Sequence, residues 1–418
     1  MMNIFKKANI LLPKDTDLSK WSVVACDQYT SEPDYWENVK NTVGDAPSAL
    51  KIVFPEIYLK DEPEKRIENI NKTMSEYLDS GIFEEYTDSF ILTMRTQRDG
   101  RTRSGLIGML DLESYSFKKG EGTPTRATEG TVLERIPPRV KIRENAPLEL
   151  PHILILIDDE DKTVVEPIVS KKDSLEKVYD FELMENSGHL TGYKITESEE
   201  IFKALSKLSD VGIFKEKYNT DSEDVLLFAV GDGNHSLATA KTCWENIKPS
   251  LTKEEQENHP ARFALVEVMN IHDAALEFEP IHRVVFGVNP EKMIEEFMKF
   301  YPECANVDNG GQHIQYVIGD CTGDLYVKNS DSNLAVGTLQ NFIDTYLKDN
   351  AGEVDYIHGE EVVRKLSKDA GNIGFLLPAM EKNELFPTII KDGALPRKTF
   401  SMGEAWDKRF YLECKKIK

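Results

Sequence analysis

"VLLFAVGDGNHSLATAKTCWENIK", residues 225–248, joins an apolar run to a helical segment through a turn that holds Gly231, Asp232, Gly233, Asn234, His235 and Ser236. Val225 to Val230 are apolar almost without interruption, which suits a strand covered on both faces. Gly231 and Gly233 permit backbone geometries that other residues resist. The helix expected from about Ser236 aims its free first-turn N–H groups back at the turn. Such a helix start attracts anions through those N–H groups and its dipole, so a phosphate or a carboxylate could dock there. Asp232 then stands where a base or a magnesium ligand is needed, and His235 where an acid, a base or a phosphate donor is needed. The purely structural reading of the same residues makes Asn234 or Ser236 an N-cap and His235 a packing residue.

Outward from this turn, strands and helices alternate without a repeat period or a low-complexity tract. Upstream, "SFILTMRTQRDGRTRSGLIGMLDLE" (89–113) sets two apolar-rich runs around Asp99 and Gly100 and predicts a hairpin. "PHILILIDDEDKTVVEPIV" (151–169) predicts a second hairpin around the acidic turn Asp158 to Asp161. Between them "EGTPTRATEGTVLERIPPRVKIRENAPLEL" (121–150) has no clear period and reads as a long ordered loop, a class of segment that is often functional. The spacing in "KKDSLEKVYDFEL" (171–183) predicts a helix. So does "ESEEIFKALSKLSD" (197–210), where Ile201, Phe202, Leu205 and Leu208 share a face behind Thr196 and Glu199 as a capping pair. Further helices are expected near 252–261, 291–301, 338–348, 359–368 and 380–384, with a strand at "RFALVEVMNI" (262–271).

The alternation implies an α/β or α+β fold of mixed sheets with flanking helices. A soft boundary near 280–290 separates a main α/β region, residues 1–285, which contains the DGNHS turn, from a C-terminal α+β region, residues 286–418.

Composition narrows the function classes. At 418 residues, 40% hydrophobic and 30% charged, the chain can bury a core without disulfide staples and holds no apolar run of membrane-spanning length. Cys26, Cys243, Cys304, Cys321 and Cys414 are odd in number and form no CxxC pair, which fits reduced thiols. With a short apolar N-terminus that lacks a cleavage site, the chain reads as cytoplasmic. A formal net charge of −22 repels polyanions, so neither nucleic acid nor a membrane is an expected partner.

The DGNHS turn resembles the "DGHHR" signature of a widespread prokaryotic family, domain of unknown function 1015. Other segments resemble that family too: "WSVVACDQYTSEPDYW" (21–36), "FEPIHRVV" (278–285) and "LPRKTFSMGEAWDKRFYLE" (395–413). The motif is in turn similar to the phosphate-contacting motif of the ParB and sulfiredoxin-like superfamily, which includes free-serine kinases. The resemblance implies, by analogy, a ParB/sulfiredoxin-like element around the turn and a nucleotide-phosphate site. Position by position Asp232, Gly233 and His235 match, Asn234 stands for the first histidine and Ser236 for the arginine. That arginine is the natural bidentate phosphate ligand, so another cation must serve or the chemistry has changed.

Arg283, beside His282, is the first candidate for the cation. Arg126, Arg135, Arg139 and Arg143 lie in the long loop beside Glu129, and Arg397 and Lys398 lie in the C-terminal segment. The resulting expectation is a phosphotransferase or phosphohydrolase acting on a small molecule, with ATP or ADP and magnesium as cofactor. Asp232, His235 and Glu129 are its catalytic residues, and Gly231, Gly233, Asn234, Ser236, His282 and Arg283 bind phosphate. Two alternatives stay open: a non-catalytic sensor of a nucleotide or anion, and a metal-dependent hydrolase around His272, Asp273, Glu277, Glu279 and His282, although no metal motif is matched. Cys26 and Asp27 near the N-terminus are further polar groups, with Asp27 the better candidate for an active-site role.

Overall fold

The structure, a computed structural model, describes residues 4–130 and 136–418. Two units divide the chain: Met1–Leu276 together with Gly403–Lys418, and Glu277–Met402. The sequence placed its break at 285/286 and left the whole remainder in the second region. The chain instead crosses earlier and returns its last segment to the first unit, because Phe410–Tyr411 pairs with Val23–Val24 and Lys415–Lys416 with Leu148–Glu149. No linker composition marks either crossing.

The first unit is built on a mixed sheet of 11 strands among the described residues. Across it run Glu176–Glu182, His189–Ile195, Phe83–Thr96, Thr102–Asp111, Phe263–Asn270, Leu154–Ile157, Phe228–Asp232, Thr125–Ala127 and Tyr115–Ser116, with Phe5–Lys6 and Ala8–Pro13 paired at the side. The period-2 alternation of strands assigns neighbours to opposite faces. Ile91, Ile107 and Leu265 pack in one core with Trp21 and Trp36. Phe90, Leu92, Leu106 and Val266 pack in the other with Phe228, Leu237 and Trp244. Both faces are therefore covered, which is why the strand before the glycine turn is apolar throughout.

The hairpin expected at Asp99 and Gly100 forms, with Arg95 opposite Arg103. Residues 151–169 do not make a second one: Leu154–Ile157 pairs in parallel with Phe263–Asn270, and the chain after the acidic turn becomes the short helix Glu166–Val169. "EKVYDFE" (176–182) is a strand rather than a helix, since pairing with His189–Ile195 overrides a local pattern that fits either state. The long loop holds a strand, Thr125–Ala127, and a helix, Ile136–Arg143. The helix Glu199–Leu208 is present, but its N-cap is Ser198, without a side-chain capping bond.

The second unit has a seven-stranded sheet among the described residues. Cys304–Ala305, Cys321–Val327, Gln312–Ile318, Ile373–Leu376, Phe278–Phe286 and Glu353–His358 lie in that order, and Phe400–Met402 also pairs with Phe278–Phe286. Its helices include Pro290–Phe300, Ala335–Asp349 and Glu360–Leu366, near the expected positions, and Leu385–Asp392, just beyond the expected 380–384.

Candidate functional site

Phe228, Ala229 and Val230 are fully buried, and the strand ends at Asp232. Gly233 then takes φ +79°, and a Cβ there would meet the Ile153 Cα at 3.0 Å, so both backbone angle and space call for glycine. The helix Asn234–Ile247 follows, anchored by buried Leu237, Ala240 and Trp244. Burial of side chains the size of leucine stabilises by about 1.5–3 kcal/mol each, which fixes the helix start relative to the sheet. No side chain caps that start at Gly233. Its first-turn N–H groups have no acceptor within the helix, so they face the turn as a potential anion cradle.

Asn234 turns away from the cradle. Its Oδ1 accepts the Thr128 N–H at 3.2 Å and its Nδ2 donates to Thr128 Oγ1 at 3.2 Å, while Thr128 Oγ1 donates to the Val230 carbonyl at 2.6 Å. Asn234 thus braces the helix start against Thr128, and the half-buried Glu129 is the residue that follows it. His235 is half-buried in the first turn, and its carbonyl accepts the Thr239 hydroxyl at 2.7 Å.

Asp232 is the electrostatic centre. Its Oδ1 accepts the Gly233 N–H at 2.8 Å and its Oδ2 lies 3.2 Å from Lys408 Nζ. Burial pushes the carboxyl up, but Lys408, then His152 and the Gly233 N–H, outweigh it and hold the group below the usual carboxylate range. Asp232 is therefore ionised at neutral pH. Lys408 reaches it because Arg95 and Arg103 grip the chain around it. Arg95 donates to the carbonyls of Ser187 at 2.6 Å, Trp406 at 2.8 Å and Lys408 at 3.4 Å, and Arg103 donates to that of Asp407 at 2.7 Å. Burial, and then the like charge of Arg103, brings Arg95 down to about 9. The adjacent Arg409 pairs with Glu267 at 2.7 Å and Glu413 at 2.6 Å.

His152 completes the cluster. It is 6% exposed, and its Nε2 lies 3.4 Å from Ser236 Oγ and 3.9 Å from Asp27 Oδ2. Its Nδ1 is 2.9 Å from the Tyr411 hydroxyl, which accepts the Cys26 N–H at 3.2 Å and donates to Cys26 Sγ at 3.1 Å. Burial, and then Asp27, pushes the Cys26 thiol up to about 12, so it stays protonated and is a poor nucleophile.

Of the residues singled out from sequence, Gly231, Asp232, Gly233, Asn234, His235 and Ser236 share one turn, with Asp27 facing it through His152. His152, Tyr411 and Lys408 were missed. Lys408 and Tyr411 lay in the quoted segment 395–413 and His152 in the quoted segment 151–169, with no local pattern to mark them.

His282 and Arg283 belong to the second unit. His282 Nδ1 accepts the Leu377 N–H at 3.1 Å, and burial moves the imidazole below its usual range. Arg283 is fully buried. It donates to Gln340 Oε1 at 3.2 Å and to the carbonyls of Lys398 at 2.9 Å, Arg397 at 3.0 Å and Ile281, and it lies over the Tyr356 ring at 4.9 Å. These contacts engage the guanidinium with the unit's own backbone. Arg126 is likewise engaged by the carbonyls of Thr123 and Asp224, Arg139 pairs with Glu56, Arg143 with Glu149, and Arg397 with Asp344. Arg135 lies outside the described residues.

One group of metal-ligand type occurs among the described residues: Asp158, Glu160 and His272, with ligand atoms within 4.8 Å of one another. Lys217 already supplies the positive charge there, 3.0 Å from Asp158 and 3.3 Å from Glu160, and His272 Nε2 bonds Asp158 at 2.6 Å.

A family model described as a protein of unknown function (DUF1015) matches residues 8–369. No curated protein matches the sequence. Solved structures with a similar course of chain include a free serine kinase in complex with AMP, 11% identical, covering 75% of this chain and 92% of that one with a TM-score of 0.38. A C-terminally truncated SbnI from Staphylococcus aureus is 10% identical, with 73% and 82% covered and a TM-score of 0.37. A conserved hypothetical protein from Pyrococcus furiosus is 10% identical, with 71% and 96% covered and a TM-score of 0.36. Among the described residues no helix is long and apolar enough to cross a membrane.

Proposed function

The chain belongs to the DUF1015 family, whose function is unknown, and for it we propose an enzyme that binds a nucleotide or another phosphorylated small molecule at the Asp232 turn and transfers or hydrolyses a phosphoryl group. The observation that carries this reading is the ionised Asp232, held by Lys408 at 3.2 Å at the head of a helix whose first turn has no side-chain cap. Phosphoryl transfer asks little of a protein beyond positioning and charge stabilisation. The helix start offers N–H donors to phosphate oxygens, and Lys408 is the cation that the sequence lacked at Ser236.

Magnesium carried in with ATP or ADP needs one or two carboxylate oxygens and completes its shell with phosphate oxygens and water. Asp232 is the carboxylate that this turn offers, and the ion would supply further neutralisation of phosphate charge. His235, in the turn, and Glu129, the residue after the Thr128 that Asn234 holds, remain the assigned proton-handling groups, now with His152 beside the turn.

The test is ADP formation from ATP and magnesium over hours, screened with small hydroxyl acceptors, by the full-length protein and its Asp232→Asn variant. Turnover that the variant loses supports the enzyme. Nucleotide binding without any turnover makes the turn a sensor and overturns the catalytic reading.

A further inference from the structure

Ser236 is more than a substitute for a missing cation. It is the third residue of the helix Asn234–Ile247, half-buried, and its Oγ lies 3.4 Å from His152 Nε2. The far side of that imidazole is fixed. The Tyr411 hydroxyl, held by Cys26 Sγ at 3.1 Å and by the Cys26 N–H at 3.2 Å, lies 2.9 Å from His152 Nδ1. In the tautomer whose Nδ1 donates to Tyr411, Nε2 presents a lone pair to Ser236. Asp27 Oδ2, 3.9 Å from Nε2 and itself held by Gln28 at 3.1 Å, stands ready to stabilise the imidazolium once Nε2 is protonated. A hydroxyl, a base within hydrogen-bond reach and a third group that orients the base form the arrangement of an activated nucleophile.

We propose that Ser236 is a phosphoryl acceptor, with His152 as its base and Tyr411 as the positioning residue that sets the tautomer. This rests on the reading of the turn as a nucleotide site. With ATP bound, Ser236 Oγ attacks the γ-phosphorus, an O–P bond forms, and the bond from that phosphorus to the β,γ-bridging oxygen breaks. The bridging oxygen keeps the electron pair and leaves as ADP, and the serine proton passes to His152 Nε2. The helix start and Lys408 face the phosphate charge. The product is phosphoserine at 236.

The experiment incubates the full-length protein with ATP labelled at the γ-phosphate and magnesium, then maps the modified peptide by mass spectrometry, while ATP affinity is measured in parallel. The expected result is one acid-stable phosphate on Ser236, absent in Ser236→Ala, restored in part by Ser236→Thr, and formed at least ~100-fold more slowly in His152→Gln. Tyr411→Phe leaves ATP affinity within about twofold but shifts the pH profile of phosphoserine formation, because the tautomer is no longer set. Affinity for ATP without any phosphoserine overturns this step and leaves the proposed site standing. Absence of ATP binding overturns both. An acid-labile phosphate on His235 or His152 overturns Ser236 as the acceptor.

Discussion

The Asp232 turn and the strand around Arg283 carried the two strongest polar signals in the sequence, and they came to opposite ends. At the turn, a carboxylate is ionised, partly exposed and countered by Lys408, His152 and the Gly233 N–H, beside a helix start with no side-chain cap. Around Arg283, a cation is wholly enclosed and its donors are spent on the carbonyls of Ile281, Arg397 and Lys398 and on Gln340. A buried charge whose hydrogen bonds are all internal stabilises its surroundings and has little left for a ligand. A charged pair beside a helix start that no side chain caps is arranged to receive one. Burial and partner count, more than residue type, separate the two.

The contrast can be broken by substitution. Asp232→Asn should leave the turn folded but reduce phosphoryl turnover by roughly 10²–10³-fold, the size of effect seen when one preorganised charge-stabilising group is removed; steady-state kinetics measures it. Arg283→Met should behave in the reverse way. With several carbonyls left unpaired at about 1–3 kcal/mol each, the protein should lose on the order of 3 kcal/mol of stability in urea unfolding while its phosphate affinity stays within about twofold. If Arg283→Met instead abolished binding with stability intact, the contrast would collapse.

Smaller effects sharpen it. Gly233→Ala forces an L-residue to φ +79° against Ile153, and should cost about 1–3 kcal/mol in thermal unfolding, with weaker binding because the helix start shifts. The acid limb of stability is a further readout. The folded-state pKa of Asp232 is depressed, so its contribution is present above the unfolded value of roughly 4 and is lost as pH falls through the lower folded value. Asp232→Asn should therefore lose stability relative to wild type at pH 7 and converge with it in strong acid, seen by denaturant titration across that range.

How far the sequence reaches is visible in these same residues. The strand, glycine turn and helix were readable because an apolar run, two glycines and a helical pattern follow one another within a single stretch. The partners of Asp232 were not readable. Lys408, His152 and Tyr411 come from remote segments that are brought in by sheet pairing and by Arg95 and Arg103 gripping backbone carbonyls, and such contacts leave no local pattern. The same limit explains the strand Glu176–Glu182: Val178, Tyr179 and Phe181 fit helix or strand equally, and the neighbour His189–Ile195 decides. Arg283 shows the converse, since a short motif marks a residue as special without saying whether its role is to bind or to brace.

The account rests on Asp232 and Lys408 forming a phosphate site, and calorimetric titration of the wild-type protein, Asp232→Asn and Lys408→Met with ATP and ADP in magnesium tests that most directly. The account predicts binding by the wild type, with Lys408→Met weakened at least ~30-fold, the loss expected for one charge-assisted contact of about 2 kcal/mol. Equal affinity in all three proteins, or no heat of binding in any, would contradict it.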